Sequence, residues 1–136
     1  MSETVVLYEG GLRCTARHEE SGVTITTDAP KENHGQGSSF SPSELLSVSL
    51  GSCVLSLMGI VARSMDLDIA GSSATVRKKM ANAPRRIVNI AIDVYVPHPL
   101  TEEQATKLEA AAHACPVHNS LRPELCAPIT FRWHKS

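Results

Sequence analysis

Aromatic side chains make up only 4% of this 136-residue sequence, too few to build the stacking platforms that hold single-stranded nucleic acids. An excess of either charge is also missing. Lys and Arg total 13 against 14 Asp and Glu, a net charge of −1, and the pI is near 6.6. With no basic patch or tail, nucleic acid is not an expected partner. Met1-Ser2-Glu3-Thr4 shows no basic segment leading into an apolar one, so no secretory leader is expected. The longest apolar stretch is interrupted by Ser, Gly and Arg63 and does not read as a membrane span. Repeats, low-complexity tracts and linkers are lacking, as are a phosphate-binding glycine loop, a serine-nucleophile elbow and an HExxH pair. The expectation is one domain over residues 1–136, in the cytoplasm.

What remains is a hydrophobic fraction of 42%, enough for a core, and four cysteines. In a reducing cytoplasm such cysteines are free, catalytic or metal-bound rather than a structural disulfide framework. Thr4–Tyr8, Leu12–Arg17 and Val23–Thr27 read as three strands joined by hairpin-length turns at Glu9-Gly10-Gly11 and Glu19-Glu20-Ser21-Gly22. The polar segment 29–41 is a glycine-bearing loop, functional or simply solvated. Ser41 is a natural N-cap, Pro42 fits the first helical position and Glu44 follows three residues after the cap. The helix they start should run to about Met65. Leu45, Leu46, Val48, Leu50, Val54, Leu55, Leu57, Met58, Ile60 and Val61 surround its axis. A helix apolar on all sides must be covered on several sides, more than a chain this short can manage alone, so a homodimer is inferred.

Ala74–Arg77 and Ile87–Val96 predict two longer strands around a turn at Asn82-Ala83-Pro84. The second alternates with Val88, Ile90, Ile92, Val94 and Val96 on one face. Thr101 and Gln104 open a further helix as a capping box, and Pro116 ends it at or near Cys115. A last strand covers about Pro128 to Trp133. This order gives an α+β fold, with antiparallel sheets packed around a long buried central helix.

Cys53 lies within the long helix, and Cys115 lies far along the chain before Pro116. No local CxxC device is available, so any partnership between them must be built by the fold. Cys53 reads either as a small buried hydrophobe or as a reactive thiol, which would need a cation such as Arg13 or Arg17 beside it. Cys115 reads either as a packed helix-end residue or as a resolving thiol that closes a disulfide on a sulfenate. Cys14 and Cys126 lie in predicted strands as core or edge residues. Cys115, His118 and Cys126 form a zinc alternative without the usual paired ligand knuckles.

Three segments together resemble the OsmC/Ohr family of osmotically induced and organic-hydroperoxide-resistance proteins. They are Phe40-Ser41-Pro42-Ser43-Glu44-Leu45-Leu46, Leu50-Gly51-Ser52-Cys53 and Cys115-Pro116-Val117. The resemblance spans essentially the whole chain and implies an intertwined homodimer with two interface sites. It also implies Cys53 as the peroxide-attacking thiol and Cys115 as the resolving one. An arginine (Arg13 or Arg17) would hold the thiolate, with Glu44 in the helix-start motif. Organic hydroperoxide would be the substrate and a dithiol the reductant, with no metal, haem or flavin. One position departs from the pattern. Ser43 stands where the better-studied peroxidase branches carry glutamate, marking a divergent branch in which the arginine lacks that carboxylate. The competing readings are a non-enzymatic small-ligand module and a slow redox sensor on the same scaffold.

Overall fold

The structure, a computed structural model, describes residues 3–134. The described residues form two compact units that divide between Leu45 and Leu46. The first carries strands β1 (Thr4–Gly10), β2 (Arg13–His18) and β3 (Thr24–Asp28) in an antiparallel meander of order β1-β2-β3. The β1–β2 turn uses left-handed backbone at Gly10, Gly11 and Leu12, a region glycine enters without steric cost. Little of this sheet is covered by its own unit, and Val5, Val6, Leu7 and Tyr8 are all exposed.

The loop after β3 is ordered by backbone pairing. Phe40 O accepts from Asp28 N–H at 3.0 Å, and Ala29 O accepts from Gly37 N–H at 3.2 Å. A short 3-10 helix, Lys31–Asn33, lies within it. Gly35 is required by space, because a Cβ there would lie 1.8 Å from the carbonyl oxygen of Ala29.

Helix α1 (Pro42–Ser64) starts and ends close to the expected limits. Its Ser41 hydroxyl accepts from Glu44 N–H at 3.2 Å, while Glu44 Oε1 accepts from Ser41 N–H at 3.1 Å. These two bonds close the capping box and satisfy backbone donors that the first helical turn leaves open.

In the second unit, β4 (Ser73–Ala81) and β5 (Arg86–Val96) form an antiparallel hairpin, and β6 (Ile129–Trp133) lies on the other side of β5. One expectation is corrected here: β6 runs parallel to β5, pairing Ile92 with Ile129 and Val96 with Trp133. The reason is the connection. Helix α2 (Glu102–His113) and the short α3 (Pro116–Asn119) intervene between the two strands, and such a helical crossover returns the chain in the same direction. A second correction concerns Cys126. It stands outside β6, exposed, as an isolated bridge partner of Asn89.

The core of this unit follows the strand alternation. Ile90, Ile92, Val94 and Val96 of β5 are buried with Leu50, Val54, Met58 and Ala62 of α1 and Leu108 and Ala112 of α2. The α1 residues recur every four positions, which puts them on one stripe. Each large aliphatic side chain so buried contributes about 1.5–3 kcal/mol. That stripe is the most deeply buried apolar side of α1, flanked by partly buried Leu46, Leu55, Leu57 and Val61, while Ile60 remains 65% exposed. The helix is long and apolar enough by composition to cross a membrane, with a mean hydropathy of 2.1. Its packed stripe is what a core helix of this composition requires.

α1 comes close to β4 at Gly51, where a Cβ would meet Val76 Cγ1 at 3.2 Å and Ala74 Cβ at 3.5 Å. Gly51→Leu should therefore overpack the α1–β4 contact and destabilise the fold by about 1–3 kcal/mol. A urea unfolding midpoint shifted to lower concentration is the expected reading, and an unchanged midpoint would contradict this packing.

Candidate active site

Cys53 and Cys115 reach the same place by different routes. Cys53 is carried by α1, whose rotation is set by the Leu50–Val54–Met58 stripe. Cys115 is placed by the break between α2 and α3. Thr101 caps α2, accepting from Gln104 N–H at 3.1 Å while Gln104 Oε1 accepts from Thr101 N–H at 2.9 Å. Pro116 then begins α3, with Cys115 as its N-cap. This short third helix has no apolar periodicity of its own, and proline directly after the cysteine was its one sequence signal.

The two thiols are neighbours, near enough for Cys53 to act on the ionisation of Cys115. Cys115 is 0% exposed, whereas Cys53 keeps part of its surface open. Burial is the main cause that pushes the Cys115 thiol above its ordinary pKa, and the neighbouring Cys53 pushes it further. Backbone hydrogen bonds from His118 and Val117 act in the opposite direction, the first at 3.3 Å from His118 N to Cys115 Sγ. Cys115 is thus held as a protonated thiol in reach of Cys53, and both are free in this structure. The His118 ring is used locally, its Nε2 lying 2.9 Å from Ala127 O. Cys115, His118 and Cys126 do not assemble as a metal-ligand group among the described residues.

The other expected site residues belong to the first unit. Arg13 and Arg17 are four apart on β2, an even spacing that puts them on one face of that strand. Arg13 lies opposite Asp28 in the β2–β3 register and lines a shallow cleft of about 270 Å³ with Glu9, Gly10, Thr15 and Thr26. Arg17 pairs with Glu19 at 3.6 Å on the surface, a geometry of little energetic weight. Glu44 has its carboxylate on the Ser41 cap, and the Ser43 hydroxyl lies 3.3 Å from that of Ser41.

Asp28 went unnoticed in the sequence, since a single aspartate before a polar loop carries no pattern. It is fully buried. Its Oδ2 accepts from the Ser38 hydroxyl at 2.6 Å and from Ser38 N–H at 3.0 Å. These bonds, with smaller contributions from Gln36 and the Arg13 charge, hold its carboxyl below the usual range against the opposing effect of burial. Asp28 therefore latches the loop to the end of β3 as an ionised group.

The chain is similar to known proteins. A family model described as OsmC-like protein matches residues 35–127. No curated protein matches the chain. Among solved structures, one from Psychrobacter arcticus 273-4, provisionally named an osmotic stress induced and detoxification response protein, is 39% identical. It superposes with a TM-score of 0.93, with 97% of this chain and 96% of that chain covered. An organic hydroperoxide resistance protein OsmC from Legionella pneumophila is 18% identical, with a TM-score of 0.73 and coverages of 99% and 97%. A Vibrio cholerae protein, provisionally named for organic hydroperoxide resistance and holding captopril in one of its active sites, is 21% identical. Its TM-score is 0.73 and the coverages are 95% and 90%. The last two likenesses concern the fold alone.

The loop latch has a pH signature. Because the folded carboxyl of Asp28 titrates below its ordinary value of about 3.9, its stabilisation is present in full above that value. It is lost as pH falls through the lower folded value. Ser38→Ala should raise the folded value and move acid unfolding to higher pH, as followed by circular dichroism. An acid midpoint that ignores this substitution would show that Ser38 does not hold the ionised form.

Proposed function

Because the chain belongs to the OsmC-like family, we propose that it is a cysteine-based thiol peroxidase that reduces organic hydroperoxides. The observation carrying this reading is the meeting of two thiols far apart in sequence, one partly open and one enclosed. The names of the Legionella and Vibrio proteins, which refer to organic hydroperoxide resistance, point the same way.

In the proposed cycle the Cys53 thiolate attacks one peroxide oxygen and an S–O bond forms as the O–O bond breaks. The alcohol leaves with the electron pair and takes a proton, and Cys53 becomes a sulfenic acid. Cys115 then attacks that sulfur, water departs and a Cys53–Cys115 disulfide remains. A cellular dithiol returns both to thiols. Arg13 or Arg17 supplies the cation that favours the thiolate, and Glu44 holds the start of the helix that bears Cys53. The apolar flank of α1 favours organic over small polar peroxides. Hydrogen peroxide is a lesser substrate, and oxidative-stress defence in the cytoplasm is the setting.

The working form is a homodimer of single-domain chains. Val5, Val6, Leu7 and Tyr8 on β1 and, in the second unit, Ile60 on α1 are large apolar side chains left exposed, surface of the kind that a partner chain covers. A second reading, a non-enzymatic ligand-binding module, draws on a separate cleft of about 660 Å³ along α1, lined by Leu55, Ile60, Arg63, Leu67 and Ile69 among others.

Cys53→Ser should abolish consumption of alkyl hydroperoxide in the presence of a dithiol. Cys115→Ser should allow one oxidation and then stall as a sulfenic acid that dimedone traps. Wild-type protein that consumes no hydroperoxide would refute the peroxidase and leave the binding module. Light scattering after size exclusion should give about twice the chain mass of 14.6 kDa; a monomer mass would refute the dimer.

A further inference from the structure

The two cysteines differ in access, and that difference bears on how the oxidised protein is reduced. Cys115 has no exposed surface and belongs to the core with Leu108 and Ala112. Cys53 packs on the margin of that core and stays partly open. We propose that the reducing dithiol attacks the sulfur of Cys53, with Cys115 as the leaving thiol. This rests on the reading above only for the existence of the Cys53–Cys115 disulfide.

Thiol–disulfide exchange needs the incoming thiolate to approach one sulfur along the line of the S–S bond. An enclosed sulfur offers no such line unless the α2–α3 junction opens. Leaving-group strength argues the other way, because a thiol held above its ordinary pKa departs more slowly and Cys115 is such a thiol. Access outweighs it: slower departure scales a rate, whereas enclosure removes the approach altogether. The His118 N–H, 3.3 Å from Cys115 Sγ, also steadies the departing sulfur.

The balance is simple. A bond forms between the reductant sulfur and Cys53 Sγ as the Sγ–Sγ bond breaks. The electron pair leaves on Cys115, which takes up a proton. The second reductant thiol then attacks its own partner sulfur, closes a cyclic disulfide and releases Cys53. Peroxide and reductant therefore meet the same sulfur in turn, and Cys115 touches neither.

The test needs no peroxide. Full-length protein oxidised with diamide is treated briefly with glutathione, quenched in acid, alkylated with N-ethylmaleimide and mapped by peptide mass. Glutathione should be found on Cys53 and the maleimide on Cys115, with a preference of about tenfold or more. A Cys126→Ser variant, which removes an exposed thiol, should give the same map. Glutathione on Cys115, an even distribution, or no Cys53–Cys115 disulfide after diamide would overturn the inference. If the map is as expected but the protein consumes no hydroperoxide, the inference stands and the peroxidase reading falls.

Discussion

The packing of one apolar stripe of α1 against the inner face of the C-terminal sheet is the constraint on which the rest depends. An α-helix turns by about 100° per residue, so a slip of one position would rotate Cys53 away from Cys115. The stripe from Leu50 to Ala62, buried against Ile90, Ile92, Val94 and Val96, opposes such a slip with the burial energy of several aliphatic side chains. Gly51 eases the contact, since a Cβ there would press on Val76 at 3.2 Å.

Short polar devices secure the ends of the elements that this packing orders. The Ser41–Glu44 and Thr101–Gln104 capping boxes fix where α1 and α2 begin. Cys115 caps α3 with its sulfur, so the thiol with the resolving role in the proposed cycle also supports backbone. Asp28 performs the comparable task in the first unit, holding Ser38 and with it the loop before α1. Glu44 shows how such a device meets function. Its carboxylate, one position after the Ser43 that stands in place of the family's glutamate, is occupied by the helix start.

Much of this was legible from patterns. Period-2 alternation in Ile87–Val96 identified both the strand and its buried face, and Ser-Pro-Ser-Glu and Thr-x-x-Gln marked two helix starts. Each signal is local, acting within a few residues of where it is written. The parallel pairing of β6 was not legible, because strand direction follows from how the intervening helices cross the sheet. Asp28 and α3 were equally hidden. A buried ionised carboxylate depends on donors brought to it by a folded loop, and a four-residue helix is too short to show a period.

For the cysteines, the sequence by itself determined their positions: Cys53 inside an apolar helix and Cys115 before a helix-breaking proline. It also carried the motifs by which the family is identified. Only the tertiary structure decided that these thiols meet and that one is enclosed while the other stays partly open. Proximity between distant residues and exposure of a cysteine are properties of packing. They arise from side chains contributed by α1, β5 and α2 together, which no single stretch of chain contains.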